Sequence, residues 1–142
     1  IGTGKLTSTK ALHFGSEAVI DPLAISGFGY GTNTVEATAL TFDSGARYVL
    51  DLSVDGEGHD GLVFNVTSPL ALTGQLDLVP EGDGHVVPGT SWEIISVPPS
   101  ATAFSCDVTR TPGYILETTG DAESGWKVTA IAGHPATLLI LK

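Results

Sequence analysis

Residues 39–52 read ALTFDSGARYVLDL, and residues 11–21, which start 28 positions earlier, read ALHFGSEAVID. Each stretch alternates apolar and polar residues, turns at a glycine and resumes with apolar residues, which is the pattern of strand, tight turn and strand. A looser third copy, ALTGQLDL, starts at residue 71, 32 positions after the second. Such a recurrence is typical of stacked coils, in which one coil buries its apolar face only against the next. The repeat therefore predicts a β-solenoid.

The composition favours an all-β domain and disfavours several classes of partner. The 142 residues include 18 Gly and 8 Pro, which interrupt the chain too often for long helices. The formal net charge is −10, so we expect no surface that attracts the phosphates of nucleic acid or an anionic membrane. No apolar run approaches the roughly 18 residues of a membrane-spanning helix. The chain has no Met, and we expect it to be a processed piece of a longer protein with further coils upstream.

The repeat predicts two parts of the chain. Residues 1–79 contain the coils, with Tyr48, Leu50 and Leu52 on one inward face. From residue 80 the pattern weakens into short strands between polar turns, and both tryptophans lie there. Because the end of a stack has to shield its apolar cross-section, we expect residues 80–142 to form a C-terminal β cap. A small β-sandwich would give a similar pattern and stays an alternative.

An acidic turn at residues 55–61, DGEGHDG, partly matches the calcium-binding nonapeptide of β-helical repeats. Asp55, Glu57 and Asp60 would be the ligands. Calcium takes six to eight oxygens, here from successive turns, and only one copy is present, so a solvated acidic turn is the favoured interpretation. The same letters fit the dinucleotide fingerprint G-x-G-x-x-G, but a strand follows instead of the required helix.

The histidines and the single cysteine give no catalytic or metal-binding pattern. The histidines lie at positions 13, 59, 85 and 134, without the spacing of a zinc site. Cys106 is alone, so it can form no internal disulfide, and a buried apolar role is favoured over a nucleophile.

Three aspartates are the one constellation of catalytic interest. Asp21, Asp51 and Asp77 follow apolar strands in the three copies of the repeat, and paired carboxylates on adjacent coils perform catalysis in many β-helical glycan-cleaving enzymes. An aspartate at a strand end more often caps a turn by accepting backbone N–H bonds. We therefore assign no catalytic, cofactor or metal residue and expect no cofactor, which favours a protein that is not an enzyme.

Four stretches resemble one bacterial family group: YVLDL at 48–52, GHDGLV at 58–63, LTGQLDL at 72–78 and PGTSWEII at 88–95. They are similar to the C-terminal part of autotransporter-type passengers and autotransporter-associated β-strand repeat proteins. In those families a coil ends in G-x-D-x-L-V and continues with L-x-G-x-L-x-L. The resemblance implies a right-handed parallel β-helix, secreted or displayed at the cell surface, whose last coils fold first.

These patterns together predict a non-catalytic structural segment, the stalk or stability core and cap of an adhesin-like surface protein. The expected partners are further coils of the same parent chain, with host or environmental glycans as a second partner class. The alternative function is a carbohydrate-binding or polysaccharide-active β-module. Its stacking platforms would be Tyr30, Trp92, Tyr114 and Trp126, because aromatic rings present flat apolar faces to sugars.

Overall fold

The computed structural model describes residues 4–22, 30–99 and 103–133, and these residues form an all-β structure. The strands are β1 Gly4–Thr7, β2 Leu12–Phe14, β3 Val19–Ile20, β4 Thr32–Ala37, β5 Leu40–Phe42, β6 Arg47–Ser53, β7 Gly61–Val66, β8 Leu70–Glu81, β9 Ser91–Val97, β10 Phe104–Arg110, β11 Tyr114–Asp121 and β12 Gly125–Ala132. Within the described ranges no helix is long and apolar enough to cross a membrane. The end of the expected C-terminal cap, residues 134–142, lies outside the described residues.

The strands form three sheets, and successive passes of the chain contribute to the same sheets in turn. The first sheet has the order β1-β4-β7-β9-β12-β11, the second pairs β2 with β5, and the third has the order β3-β6-β8-β10. All pairs in the second and third sheets are parallel, as are those from β1 to β9 in the first. We call β1–β3 the first pass, β4–β6 the second, β7 and β8 the third, and β9 and β10 the fourth.

The pairing register agrees with the repeat between the first two passes. Leu12 pairs with Leu40 and Phe14 with Phe42, which is the offset of 28 positions that separates the two similar stretches. The third copy is offset by 32 positions from the second in sequence, but its strand pairs at a different offset. Leu76 pairs with Tyr48, so the paired residues are again 28 positions apart. The reason is that β8 continues as one strand, whereas the second pass breaks at the turn 43–46 between β5 and β6.

Alternating side chains from all three sheets form one continuous core. The buried residues include Tyr48, Leu50 and Leu52 of the second pass, as the alternation predicted. In the third pass the apolar face is also buried: Leu70, Leu72, Leu76 and Leu78. Burying each such side chain contributes about 1.5–3 kcal/mol, so the stacking of passes supplies most of the driving force for folding.

Gly74 allows the second and third passes to approach closely in the middle of β8. Its φ is +117°, and a Cβ at this position would lie under 3.0 Å from the carbonyl oxygen of Ala46. The next residue, Gln75, donates its backbone N–H to that same oxygen at 2.8 Å. Only glycine combines this backbone conformation with this contact.

Parallel pairing continues beyond residue 79, and an antiparallel hairpin follows it. β10 pairs with β8 along its whole length, from Phe104 opposite Leu70 to Arg110 opposite Leu76. β12 then pairs antiparallel with β9, and β11 antiparallel with β12. The hairpin is therefore the part of the described chain that departs from the repeat.

Candidate functional site

Asp60, in the acidic turn, is fully buried and binds backbone groups. Its exposed fraction is 0%. Oδ1 accepts the N–H of Gly31 and Oδ2 accepts the N–H of Asp51, both at 2.9 Å. Asp60 also donates its own N–H to the carbonyl of Asp51 at 2.8 Å. A carboxylate that accepts two backbone N–H bonds is strongly held, so this side chain fixes the residue before β4 to β6.

The remaining acidic groups of the turn are also used locally. Asp55 accepts bonds from the N–H of Glu57 at 2.9 Å and from the hydroxyl of Ser53 at 2.7 Å. These bonds, first the one from Glu57, lower the pKa of Asp55. In the described part of the chain, no three His, Cys, Asp or Glu side chains come together as metal ligands. Asp55, Glu57 and Asp60 therefore do not converge on a common calcium position.

Asp51 lies close to three other acidic residues. Burial, and then the negative charges of Asp60, Glu81 and Asp21, raise its pKa to about 6. A carboxyl with such a pKa changes its protonation state just below neutral pH. Catalytic acids have this property, and so do structural carboxylates that lie close to other negative charges.

Asp51 is out of register with the two other aspartates predicted at equivalent positions, Asp21 and Asp77. Asp77 pairs with Val49, and Asp51 pairs with Val79. Asp21 follows Ile20, which pairs with Tyr48, so Asp21 stands level with Val49. The physical reason is their spacing: the positions differ by 51 − 21 = 30 and by 77 − 51 = 26, whereas the sheet pairs positions that differ by 28. The predicted row of stacked aspartates does not form.

Asp77 belongs instead to a surface network with residues of two passes. It forms an ion pair with the guanidinium of Arg47 and accepts a bond from Gln75 Nε2 at 2.9 Å. Burial by itself would raise the pKa of Asp77, but the bonds from Arg47 and Gln75 outweigh burial and hold that pKa below its usual value.

The four aromatic residues proposed as sugar platforms do not share one exposed surface. Trp92 is 1% exposed, donates Nε1–H to the carbonyl of Ser53 at 3.0 Å, and packs against the buried Tyr114. Trp126 is half-buried against Phe104, with ring centroids 6.2 Å apart. Tyr30 is 38% exposed. Two of the four side chains are thus part of the core.

The ring of Tyr30 contacts the glycine turn at Gly58. A Cβ on Gly58 would be 2.7 Å from two atoms of the Tyr30 ring, so a side chain at position 58 would displace the ring. Burial and then the charges of Asp55, Glu81 and Asp51 raise the pKa of the Tyr30 hydroxyl. Phe28, a second aromatic residue two positions before Tyr30, lies outside the described residues.

The histidines and the cysteine have structural contacts. His13 faces outward and bridges the first two passes, with Nδ1 2.7 Å from the Thr41 hydroxyl and Nε2 3.1 Å from Asp43. His59 contacts the carbonyl of Asp60, and His85 is exposed in a turn. His134 lies outside the described residues. Cys106 is half-buried, and burial raises the pKa of its thiol, which disfavours the reactive thiolate.

The inward side of the first pass forms a surface that we call the open end. It consists of Leu6, Leu12, Phe14 and Ile20, which pair with Val35, Leu40, Phe42 and Tyr48 of the second pass. All four partners are buried, but Leu6 is 50% exposed and the other three members are only half-buried. A cavity of about 330 Å³ lies among Leu6, Phe14, Ile20 and Val35. The repeat led us to expect further coils upstream, but it did not single out these four side chains as a partly exposed apolar surface.

No protein-family model matches this chain, and no curated protein matches it either.

Proposed function

We propose that the chain is a non-catalytic structural segment: the final coils and cap of a right-handed parallel β-helix in a secreted or cell-surface bacterial protein. In this role it acts as the stalk or stability core of an adhesin-like molecule. The observation that carries the proposal is the near-constant register of the first three passes. The pairs β2–β5, β3–β6 and β6–β8 join positions that differ by 28, and the pairs β1–β4 and β4–β7 join positions that differ by 29. The sequence resemblance to autotransporter-type passengers supports the proposed location.

The path of the chain supports the coil interpretation. The first pass contributes β1, β2 and β3 to the three sheets in order, and the second pass contributes β4, β5 and β6 in the same order. Parallel strands joined in this way need the chain to return to the same side after every pass, which a coil provides. Stacked coils bury one continuous core and have stability that accumulates through neighbour contacts, as a stalk requires.

The polar side chains support a structural role. Three polar contacts connect adjacent passes at nearly the same sequence separation: His13 with Thr41 over 28 residues, Gly31 with Asp60 over 29, and Arg47 with Asp77 over 30. The side chains of His13, Asp60 and Asp77, which could act as acids, bases or ligands, are thus engaged in holding one pass to the next.

The two ends of the stack differ in a way that suits a terminal segment. The antiparallel hairpin β11–β12 extends the first sheet beyond β9, and its Tyr114 packs on Trp92. At the opposite end the apolar side chains of the first pass remain partly exposed. We propose that further coils of the parent chain are the partners of that end.

An assay for turnover and binding tests this function. The protein is incubated with a panel of polysaccharides, and new reducing ends and ligand-induced shifts of the melting temperature are measured. We expect neither. Turnover that is lost in Asp51→Ala, or a glycan-dependent shift that is lost in Tyr30→Ala, would overturn the structural proposal in favour of a glycan-active module. Asp83→Ala, in an exposed turn, is the control for both variants.

A further inference from the structure

The open end has apolar side chains at positions paired with buried residues of the second pass, but these side chains are less covered. Phe14 and Phe42 are the same residue type in register, with ring planes 12° apart and centroids 5.1 Å apart. Phe42 also meets the rings of Tyr48 and Phe64 edge-on, and it is buried. The first-pass ring is only half-buried. The two phenylalanines therefore differ in burial and not in residue type.

The backbone of the first pass offers three strand edges together. β1, β2 and β3 are each the terminal strand of their sheet. A terminal strand presents a row of backbone N–H and C=O groups that can pair with another strand. A single strand or helix could meet one of these edges. A chain that follows the same three-strand path meets all three, in the parallel direction that β4, β5 and β6 already use.

The corner between β2 and β3 restricts the partner further. A Cβ on Gly45 would lie 2.8 Å from the carbonyl oxygen of Ser16, so the turns of adjacent passes stack closely. Backbone bonds hold the corners together, from Asp43 N–H to Phe14 C=O and from Arg47 N–H to Ala18 C=O, both at 2.9 Å. The glycine of this contact lies on the later of the two passes, and its equivalent in the first pass, 28 positions earlier, is Glu17. A partner therefore has to leave room for the Glu17 side chain at its own corner.

We infer that the open end docks one more parallel coil of the same polypeptide, in the register that joins the first two passes, with an aromatic side chain on Phe14 and apolar side chains on Leu6, Leu12 and Ile20. The inference rests on the proposed function and adds the register and the chemistry of the partner. It continues the interface that already joins the first and second passes. A second copy of the chain is the less suitable occupant, because each copy has a net charge of −10 and two copies repel each other.

A tandem duplication tests the inference on the full chain. A copy of residues 4–31 is placed directly ahead of Gly4, so that the copied phenylalanine falls 28 positions before Phe14. We expect the melting temperature to rise by about 4–8 °C and the amides of β1, β2 and β3 to become protected from hydrogen exchange. The matched control carries serine in place of the copied phenylalanine, and we expect it to lose a large part of the gain.

Substitution at Leu6 gives a second measurement. In the original chain Leu6 is 50% exposed, so Leu6→Lys should shift the melting temperature by about 1 °C or less. In the extended chain the same substitution should lower it by several degrees, because the side chain is then covered. If the copy of 4–31 prevents folding, a copy of residues 32–59 places Phe42 at the same distance before Phe14 and serves instead.

Two results would overturn the inference. One is an extended chain whose melting temperature and amide exchange at β1–β3 equal those of the original chain. The other is a stable dimer of the original chain in light scattering at micromolar concentration that Leu6→Lys dissociates, which would assign the open end to a second copy. Neither result depends on the polysaccharide assay, so a failure of the docking inference can be distinguished from a failure of the proposed function.

Discussion

The ring of Phe14 lies almost parallel to the ring of Phe42, 12° apart in plane and 5.1 Å apart in centroid, across the paired strands β2 and β5. Offset-stacked aromatic pairs of this kind contribute about 0.5–1.5 kcal/mol beyond their buried area. The stack confirms that the two similar phrases of the sequence are adjacent layers of one structure. It also identifies the interior face on which the stability of the molecule depends.

A charge on that interior face should abolish cooperative folding. In Leu72→Asp, an unpaired carboxylate replaces a side chain that is 0% exposed. The lost burial and the cost of the buried charge together approach the whole free energy of unfolding of a domain of this size. Ala71→Asp is the matched control, since residue 71 is the preceding residue of β8 and is exposed. We expect it to cost about 1 kcal/mol or less in denaturant unfolding, and equal effects of the two substitutions would contradict the assigned inward face.

Glycine at position 74 should be far less replaceable than glycine at position 84. Gly74→Ala should cost at least about 3 kcal/mol, because a φ of +117° strains an L-residue and the new Cβ would clash with the carbonyl oxygen of Ala46. Gly84 also has positive φ, +93°, but a Cβ there meets nothing within 4 Å. Gly84→Ala should cost only about 1 kcal/mol in urea unfolding, and a similar cost at both sites would show that φ alone matters.

Removing one acceptor oxygen from Asp60 should loosen the connection between the second pass and the acidic turn. In Asp60→Asn, one of the two backbone donors, from Gly31 or Asp51, faces an amide N–H₂ group in place of an oxygen. We expect a loss of about 1–3 kcal/mol in the free energy of unfolding. Amide hydrogen exchange should report the loss at residues 31 and 51. Asp83→Asn, in an exposed turn, should change neither quantity, and an unchanged Asp60→Asn protein would refute the bonding role of the carboxylate.

The stability contribution of Asp51 should decrease as pH rises from about 4 to above 6. Its pKa is raised from 3.8 to about 6 in the folded protein, so the folded state binds more protons than the unfolded state between these values. The contribution is therefore complete below pH 3.8 and is lost as pH rises through the folded pKa. Subtracting the unfolding profile of Asp51→Asn from that of the wild type should isolate this slope. If the difference in free energy of unfolding between the two proteins does not change between about pH 4 and about pH 7, the raised pKa of Asp51 is contradicted.

Other carboxylates contribute slopes of the opposite sign, which makes the comparison with the variant necessary. Backbone bonds from Ser124, together with its hydroxyl, hold the pKa of Asp121 below its usual value, and bonds hold the pKa of Asp55 low in the same way. Each of these groups stabilises the folded protein above the unfolded pKa and loses that contribution as pH falls through the folded one.

The sequence by itself determined the all-β class, most strand positions and the inward face. Alternation of side chains and the placement of Gly and Pro are local properties, so Leu50 and Leu52 could be assigned to the interior without any knowledge of their neighbours. The sequence also predicted the spacing of the first two copies of the repeat, because both contain the same succession of strand, turn and strand.

Only the tertiary structure decided the remaining relations between distant backbone segments. The third copy of the repeat pairs with the second at an offset of 28 residues, whereas the sequence similarity suggested 32. Backbone hydrogen bonding between β6 and β8 sets this register, because β8 continues past the position of the earlier turn. Asp60 becomes a buried acceptor because two N–H groups, 29 and 9 residues away along the chain, converge on it. The antiparallel hairpin and the exposed side of the first pass likewise depend on which segments meet in space. Unlike the pairing of the first two copies, these contacts do not follow a repeated pattern of residues, and that is the physical reason they could not be predicted from the sequence.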